Sequence, residues 1–161
     1  MQRQMRRKDR QMDEADAIKL LEANSHGVLA TVDEDGAPYA VPVSYVWHRG
    51  HIYFHSSSTG QKVENIVRDN RVAFAVVGEV DMERAGPSAR FESVIVRGRA
   101  VTVTGYDEEL DAFYALKRVF MPDTVEDTPA SMERLKGKYI LYRLEAESIS
   151  GKARKPQGGG H

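Results

Sequence analysis

The sequence of 161 residues predicts a mainly β domain, an antiparallel barrel of about six short strands with a few helices packed around it. Short runs rich in Val, Ile, Tyr and Phe recur along the chain, separated by Gly, Asp and Ser, the pattern that punctuates antiparallel strands. Apolar residues at helical spacing are confined to a few short stretches. A chain of this length makes one domain, expected over residues 1–152 with a disordered tail at 153–161.

The elements follow in order. Residues 1–11 form a basic, polar arm with Arg3, Arg6, Arg7, Lys8 and Arg10, either a frayed terminus or an arm that wraps onto a partner subunit. Asp13 can cap a helix over about 14–24, with Asp16 near its positive end and Ile18, Leu20 and Leu21 as its apolar stripe. Gly27–Val32 reads as a strand ended by Asp33-Glu34-Asp35-Gly36. Tyr39–Trp47 is the next, with Val41, Val43, Tyr45 and Trp47 on one face and Ala40, Pro42, Ser44 and Val46 on the other. Pro42 cannot donate to a ladder, which puts this strand at an edge or a barrel rim. His48–His51 makes a hairpin turn, and Ile52–His55 returns antiparallel. Strands are expected at about 71–78 and 90–104 around a polar loop at 79–89, then helices near 107–120 and 129–136, and a last strand at 138–144.

Composition removes several classes of function. The formal net charge of -1 creates no global field for nucleic acid or membrane, so neither is expected as a partner. The absence of cysteine excludes disulfides, thiolate metal sites, iron–sulfur clusters and cysteine nucleophiles, and fits a reducing cytoplasm. The basic start is followed by no apolar run, so it does not read as a secretion signal. No segment approaches the roughly 18 apolar residues of a membrane helix.

The stretch that carries chemistry is Phe54–Ile66. A strand ending in His55 runs into Ser56, Ser57, Ser58 and Thr59, then Gly60, Gln61 and Lys62 at the start of a helical segment. A helix N-terminus presents unpaired N–H groups and a partial positive charge, hydroxyls add short donors, and Lys62 adds a full charge. That set suits a terminal phosphate; the same residues also suit a plain helix cap. The spacing is not that of a nucleoside-triphosphate loop. His51 and His55 share a strand face about 13 Å apart at 3.3 Å per residue, too far to share a metal ion, and no metal site is expected.

On these and other segments the chain resembles the flavin-binding split-barrel proteins related to pyridoxamine 5'-phosphate oxidase, and within them the nitroimidazole-resistance (Nim) branch. The matching pieces include Met5–Lys8, Gly27–Ala30, Pro38–Val46, Ile52–Ser56, Gly60–Lys62, Asn65-Ile66, Ser93–Ile95 and Ile149–Lys152. The resemblance implies a split β-barrel, a homodimer, and a flavin, FMN or alternatively FAD, in each groove between subunits. It implies that Val43, Ser44 and Tyr45 line the flavin ring, that His55 and Ser56 pass the cofactor, and that Thr59, Gln61 and Lys62 lie near the phosphate. Ser93 would approach from the partner chain, with Lys152 as a further candidate. His55 is the implied catalytic residue, delivering a proton to a reduced small aromatic or nitro compound. Gln61-Lys62 stands where pyridoxamine-phosphate oxidases carry Arg-Lys, and their C-terminal arginine and histidine pattern has no match after Gly151, so the resemblance does not extend to making pyridoxal phosphate. Two other readings stay open: a flavin-binding protein for storage or sensing, and a haem- or deazaflavin-binding relative.

Overall fold

A computed structural model of the chain describes residues 5–82, 89–122 and 137–154. Seven antiparallel strands form one sheet: β1 (His26–Val32), β2 (Pro38–Ser44), β3 (Val46–His48), β4 (His51–Ser56), β5 (Arg71–Met82), β6 (Ala89–Thr102) and β7 (Ile140–Arg154). Their order is β2-β1-β5-β6-β7-β4-β3, and the sheet curls into a half-barrel that brings β2 back toward β4. Three α-helices flank it among the described residues: α1 (Glu14–Ala23), α2 (Gln61–Arg68) and α3 (Tyr106–Phe120).

Alternation decides which side chains face inward. Leu29, Val43, Tyr45, Ile52, Phe54, Phe74, Val76, Val94, Val96 and Leu144 fill the barrel interior, closed at one end by Ala17, Leu20 and Leu21 of α1. Asp13 caps α1 by accepting from the Asp16 N–H at 2.8 Å. A second, smaller core lies on the outer side of the sheet, where Tyr53, Val103 and Leu141 receive Ala112 and Leu116 of α3.

The expected strand 39–47 is two strands. Tyr45 interrupts the ladder: its N–H donates to the Ser25 carbonyl at 2.8 Å, and its hydroxyl donates to the Leu21 carbonyl at 2.8 Å inside the core. Residues before it pair with β1 and residues after it pair with β4, so one run of sequence serves both open edges of the sheet. Pro42 sits on the edge strand β2, where a missing donor costs nothing.

α3 is tied down by polar contacts over the β3–β4 hairpin. His48 Nε2 lies 2.7 Å from Asp111 Oδ2, and Arg49 Nε lies 2.9 Å from the same carboxylate. The Tyr53 hydroxyl donates to Glu108 at 2.9 Å, and Arg143 donates to Glu108 and Glu145. Burial alone would raise the Glu108 pKa, but the hydrogen bonds from Arg143 and Tyr53 hold it below the usual carboxylate value.

β7 runs to Arg154, well past the expected end near Leu144, and Ala153 is buried. Glu145–Ser148 is poor in strand formers, so its extended form comes from pairing along β6 rather than from propensity. The register shifts at Arg97/Gly98, where Ser148 and Ala146 are successive partners and Glu147 bulges out. Strands β5 and β6 also reach further into the expected polar loop, to Met82 and from Ala89. The expected helix near 129–136, residues 83–88 of that loop and residues 155–161 of the tail lie outside the described residues.

Gly98 is required by the closeness of β6 to β7: a Cβ there would collide with the Glu145 carbonyl oxygen, which is backbone and cannot swing away. Gly98→Ala is expected to destabilise the fold by about 1–3 kcal/mol, the usual range for overpacking. Urea unfolding measures it, and a wild-type midpoint would show that the two strands have room to part.

Candidate functional site

The site is built around the junction of β4 and α2. Val63 and Ile66 bury one side of α2, and Asn65, 2% exposed, donates from Nδ2 to Thr31 Oγ1 of β1 at 2.9 Å. Both partners are buried, so losing one would strand the other at a cost of about 1–3 kcal/mol. This bond fixes where the helix begins. Gly60 enters it at φ +114, in the left-handed region open to glycine. The Gly60 carbonyl accepts from the Val63 and Glu64 N–H groups at 2.9 and 3.1 Å. The N–H groups of Gln61 and Lys62 precede the first intrahelical donors and point out of the helix start.

Ser57, Ser58, Thr59 and Gln61 are exposed around that start, and Lys62 is half-buried. Ser56 faces inward at 4% exposure, and its Oγ is buried with no hydrogen-bond partner among the described residues. His55 projects to the outer side, its ring edge-on to Tyr139 with centroids 6.1 Å apart and planes at 78°. Burial, and then the Lys62 ammonium, push the His55 pKa below the ordinary imidazole value. His55 is therefore neutral at pH 7, and it shares one electrostatic field with Lys62.

The structure sorts the other sequence-chosen residues into places. Val43 and Tyr45 point into the core, so a ligand on the outer face meets Ser44 and the backbone beside it, not those two side chains. Burial pushes the Tyr45 hydroxyl up in pKa, and its ring packs edge-on to Phe74 at 5.0 Å. Trp47 also packs against the barrel interior. His26 was missed by sequence reasoning. It is the register partner of Ser44, is exposed, holds Ser25 Oγ at 2.9 Å from Nδ1, and meets the edge of Phe120 at 5.7 Å. The signal was there in principle, since His26 alternates with inward Gly27 and Leu29 at the head of β1.

Ser93 and Lys152 form a separate group. They are register partners on β6 and β7, with the Lys152 Nζ 5.5 Å above the Phe91 ring. The described part of the basic arm lies on its own chain here: Gln11 bridges Lys152, the Met12 N–H donates to the Gly151 carbonyl at 3.0 Å, and Arg10 stands 6.0 Å over Phe91. Ser56 pairs with Ile140 at the other end of β7. Twelve residues of strand separate Ile140 from Lys152, about 40 Å at 3.3 Å per residue. Within one chain the two groups are far apart.

A cleft of about 990 Å³ lies elsewhere, between the arm, α1 and the end of β7. Among its charges, Arg7 pairs with Asp9 and Lys19 with Asp16. Among the described residues no three His, Asp or Glu side chains converge as a metal set, and no helix is long and apolar enough to cross a membrane.

Comparison with known proteins places this geometry in context. The sequence profile described as pyridoxamine 5'-phosphate oxidase matches residues 13–153. No curated protein sequence matches the chain. Among solved structures, a conserved hypothetical protein from Mycobacterium tuberculosis is 21% identical, with 98% of this chain and 95% of that one covered and a TM-score of 0.81. A candidate 5-nitroimidazole antibiotic resistance protein from Bacteroides thetaiotaomicron is 19% identical over 89% of this chain and 86% of its own, with a TM-score of 0.75. These two share the fold. A FAD-binding protein from Mesorhizobium loti is 25% identical over 91% and 98% of the two chains, with a TM-score of 0.67.

The coupling of His55 to Lys62 has a measurable sign. The folded-state pKa of His55 lies below its unfolded value, so between the two the unfolded chain binds more protons. The contribution of His55 to stability is present above the unfolded value and is lost as pH falls through the folded one. Lys62→Gln is expected to raise the His55 pKa, and so is sulfate, a dianion throughout this range, if it seats beside Lys62. Imidazole proton NMR titration reads both; a His55 pKa indifferent to Lys62→Gln would separate the two residues.

Proposed function

The chain belongs to the pyridoxamine 5'-phosphate oxidase family, and on that premise we propose that it binds a flavin nucleotide, FMN, through its phosphate at the start of α2 and uses it to reduce small aromatic or nitro compounds. The carrying observation is the one cradle that joins outward N–H groups of Gln61 and Lys62, the Lys62 ammonium, and the exposed hydroxyls of Ser57, Ser58 and Thr59. A phosphate dianion needs several charge-assisted donors converging on its oxygens, and this cradle supplies them without rearranging the helix. The unpartnered buried Ser56 Oγ beside the cradle is a polar atom that a ligand or its water shell would satisfy. The residues fit the group. Relatives described as FAD-binding and as a candidate 5-nitroimidazole resistance protein support the cofactor class and the substrate class.

When bound, a flavin supplies the electron-transfer chemistry. The chain's own residues do the rest. Lys62, Gln61 and Thr59 hold the phosphate end. Ser44 and the backbone of residues 43–45, with His26 next to Ser44, border the outer face where the ring would lie. His55, neutral at pH 7, can accept a proton or a hydrogen bond on the side of the groove toward Tyr139 and return the proton to a reduced substrate.

The protein works in this reading as a homodimer. Ser93 and Lys152 stand too far along β7 from Lys62 to meet a mononucleotide held by the same chain, but a partner chain could present them. An exposed apolar stripe offers the contact. Val28 pairs across Ala75 to Ile95, and Val77 lies beside Ser93, so these side chains share the outer face of β1, β5 and β6. Such a stripe on one face suits an isologous interface.

Four measurements test the proposal. The protein as purified is expected to carry a small molecule with flavin absorbance and the mass of FMN; FAD would keep the class and change the nucleotide, while a haem spectrum would overturn it. Lys62→Ala is expected to weaken FMN binding by about tenfold or more, the loss of one charged hydrogen bond of roughly 1.5–3 kcal/mol, and unchanged affinity would remove the cradle from the site. His55→Ala should keep its flavin but lose turnover with a nitroaromatic acceptor, and transfer no faster than that of free FMN in the wild-type protein would leave a binding protein without catalysis. On dilution to monomer the chain is expected to release flavin; a flavin-loaded monomer would contradict the shared site.

A further inference from the structure

The outer side of the sheet holds an aromatic file that reaches His55 from α3. Phe113 of α3 stacks on Tyr139, with centroids 6.3 Å apart and planes at 17°. Tyr139 in turn presents its face or edge to His55 at 78°, with centroids 6.1 Å apart. Phe113 is placed by a helix whose other ties are polar: Asp111 to His48 and Arg49, and Glu108 to Tyr53 and Arg143. α3 therefore cannot turn about its axis without breaking those pairs, and the position of Phe113 is inherited from them. Nothing in β4 itself limits the rotation of the His55 side chain, which is exposed on its free side.

We propose that Tyr139, seated on Phe113, is a positioning residue that holds the His55 ring beside Lys62 at the cofactor groove. The inference rests on the flavin reading only in the meaning it gives to that groove; the contact itself is present without any ligand. Two elements face His55 with titratable groups. α2 contributes Lys62. The segment entering β7 contributes Tyr139, whose own pKa is pushed up to about 12 by burial and by Glu109 of α3, so it meets His55 as a neutral ring throughout the neutral range. Glu109 of α3 acts on Tyr139 rather than on His55. A neutral aromatic on one side and an ammonium on the other both disfavour imidazolium, in agreement with the lowered His55 pKa. The aromatic contact thus does two things at once: it selects a rotamer and it excludes water from one face of the ring.

The test separates positioning from mere packing. In Tyr139→Leu the His55 pKa is expected to rise toward the ordinary imidazole value, whereas in Tyr139→Phe, which keeps the ring and loses only the hydroxyl, it should stay where it is. Phe113→Leu should move it in the same direction as Tyr139→Leu and by less. In the flavin-loaded protein Tyr139→Leu is expected to lower kcat severalfold and to shift its pH profile with that of His55, with flavin affinity retained; Tyr139→Phe should restore both. A His55 titration that is the same in wild type and in folded Tyr139→Leu would overturn the proposal. Should Tyr139→Leu fail to fold, the unmodified chain still decides: nuclear Overhauser contacts between the His55 and Tyr139 rings are required, and their absence ends the argument. Because the titrations and the ring contacts are read without flavin, they can fail while the flavin assignment stands. A chain that binds no flavin would instead leave the ring contact intact and remove the groove it was meant to serve.

Discussion

Tyr45 is the corner on which the barrel turns. Its backbone N–H leaves the ladder for the Ser25 carbonyl, and its hydroxyl crosses the interior to the Leu21 carbonyl at the end of α1. A buried hydroxyl without an acceptor would cost about 1–3 kcal/mol, so the ring must stay where Leu21 can receive it. With Tyr45 pinned, the chain before it can pair only with β1 and the chain after it only with β4. The sheet is thereby led around on itself, and its outer face comes to carry Ser44 and His26 on one flank and His55 on the other. The candidate site exists because one residue is denied to it.

The same logic holds at α2. A short helix has little stability of its own, and this one is fastened by Val63, Ile66 and the buried Asn65–Thr31 bond. That leaves its first turn, with Lys62, fixed against the end of β4. Electrostatics then follows from geometry: burial, and then the lysine placed there, lower the pKa of the His55 imidazole, and an anion placed there would offset the lysine. Lys62 and His55, the proposed binding and reactive ends, are coupled through charge, with no moving part.

Much of this was legible in the sequence. The alternation in 39–47 assigned Val41, Val43, Tyr45 and Trp47 to one face correctly, and Asp13, Pro42 and the His48–His51 turn read as the cap, edge and hairpin that they are. The resemblance over the whole chain led to the right family. Other features were not readable because they depend on contacts distant in sequence. The break at Tyr45 needs α1 and Ser25. The second half of β7 is polar and becomes a strand only against β6. His26 gains interest only once β2 lays Ser44 alongside it and Phe120 arrives from α3, nearly a hundred residues later. The pattern for residues 43–45 gave the correct faces, yet it took the closed sheet to decide which face is the inside. The aromatic file from Phe113 to His55 joins three segments that no local pattern connects.

The bulge at Glu147 divides β7 into two runs of opposite phase. Leu144 and Ala146 face the interior on even positions, whereas Ile149, Gly151 and Ala153 do so on odd ones. The extra residue is absorbed outside the ladder, so the same face of β7 stays toward the core although its inward positions change parity, opposite β6 positions Val94, Val96 and Ala100 that do not. Loss of Glu147 would leave a regular ladder with Ile149, Gly151 and Ala153 still inward, whereas one more residue inserted without a second bulge would turn Ser150 and Lys152 toward the interior. A change of one residue in this segment is tolerated only where a bulge is made or removed along with it.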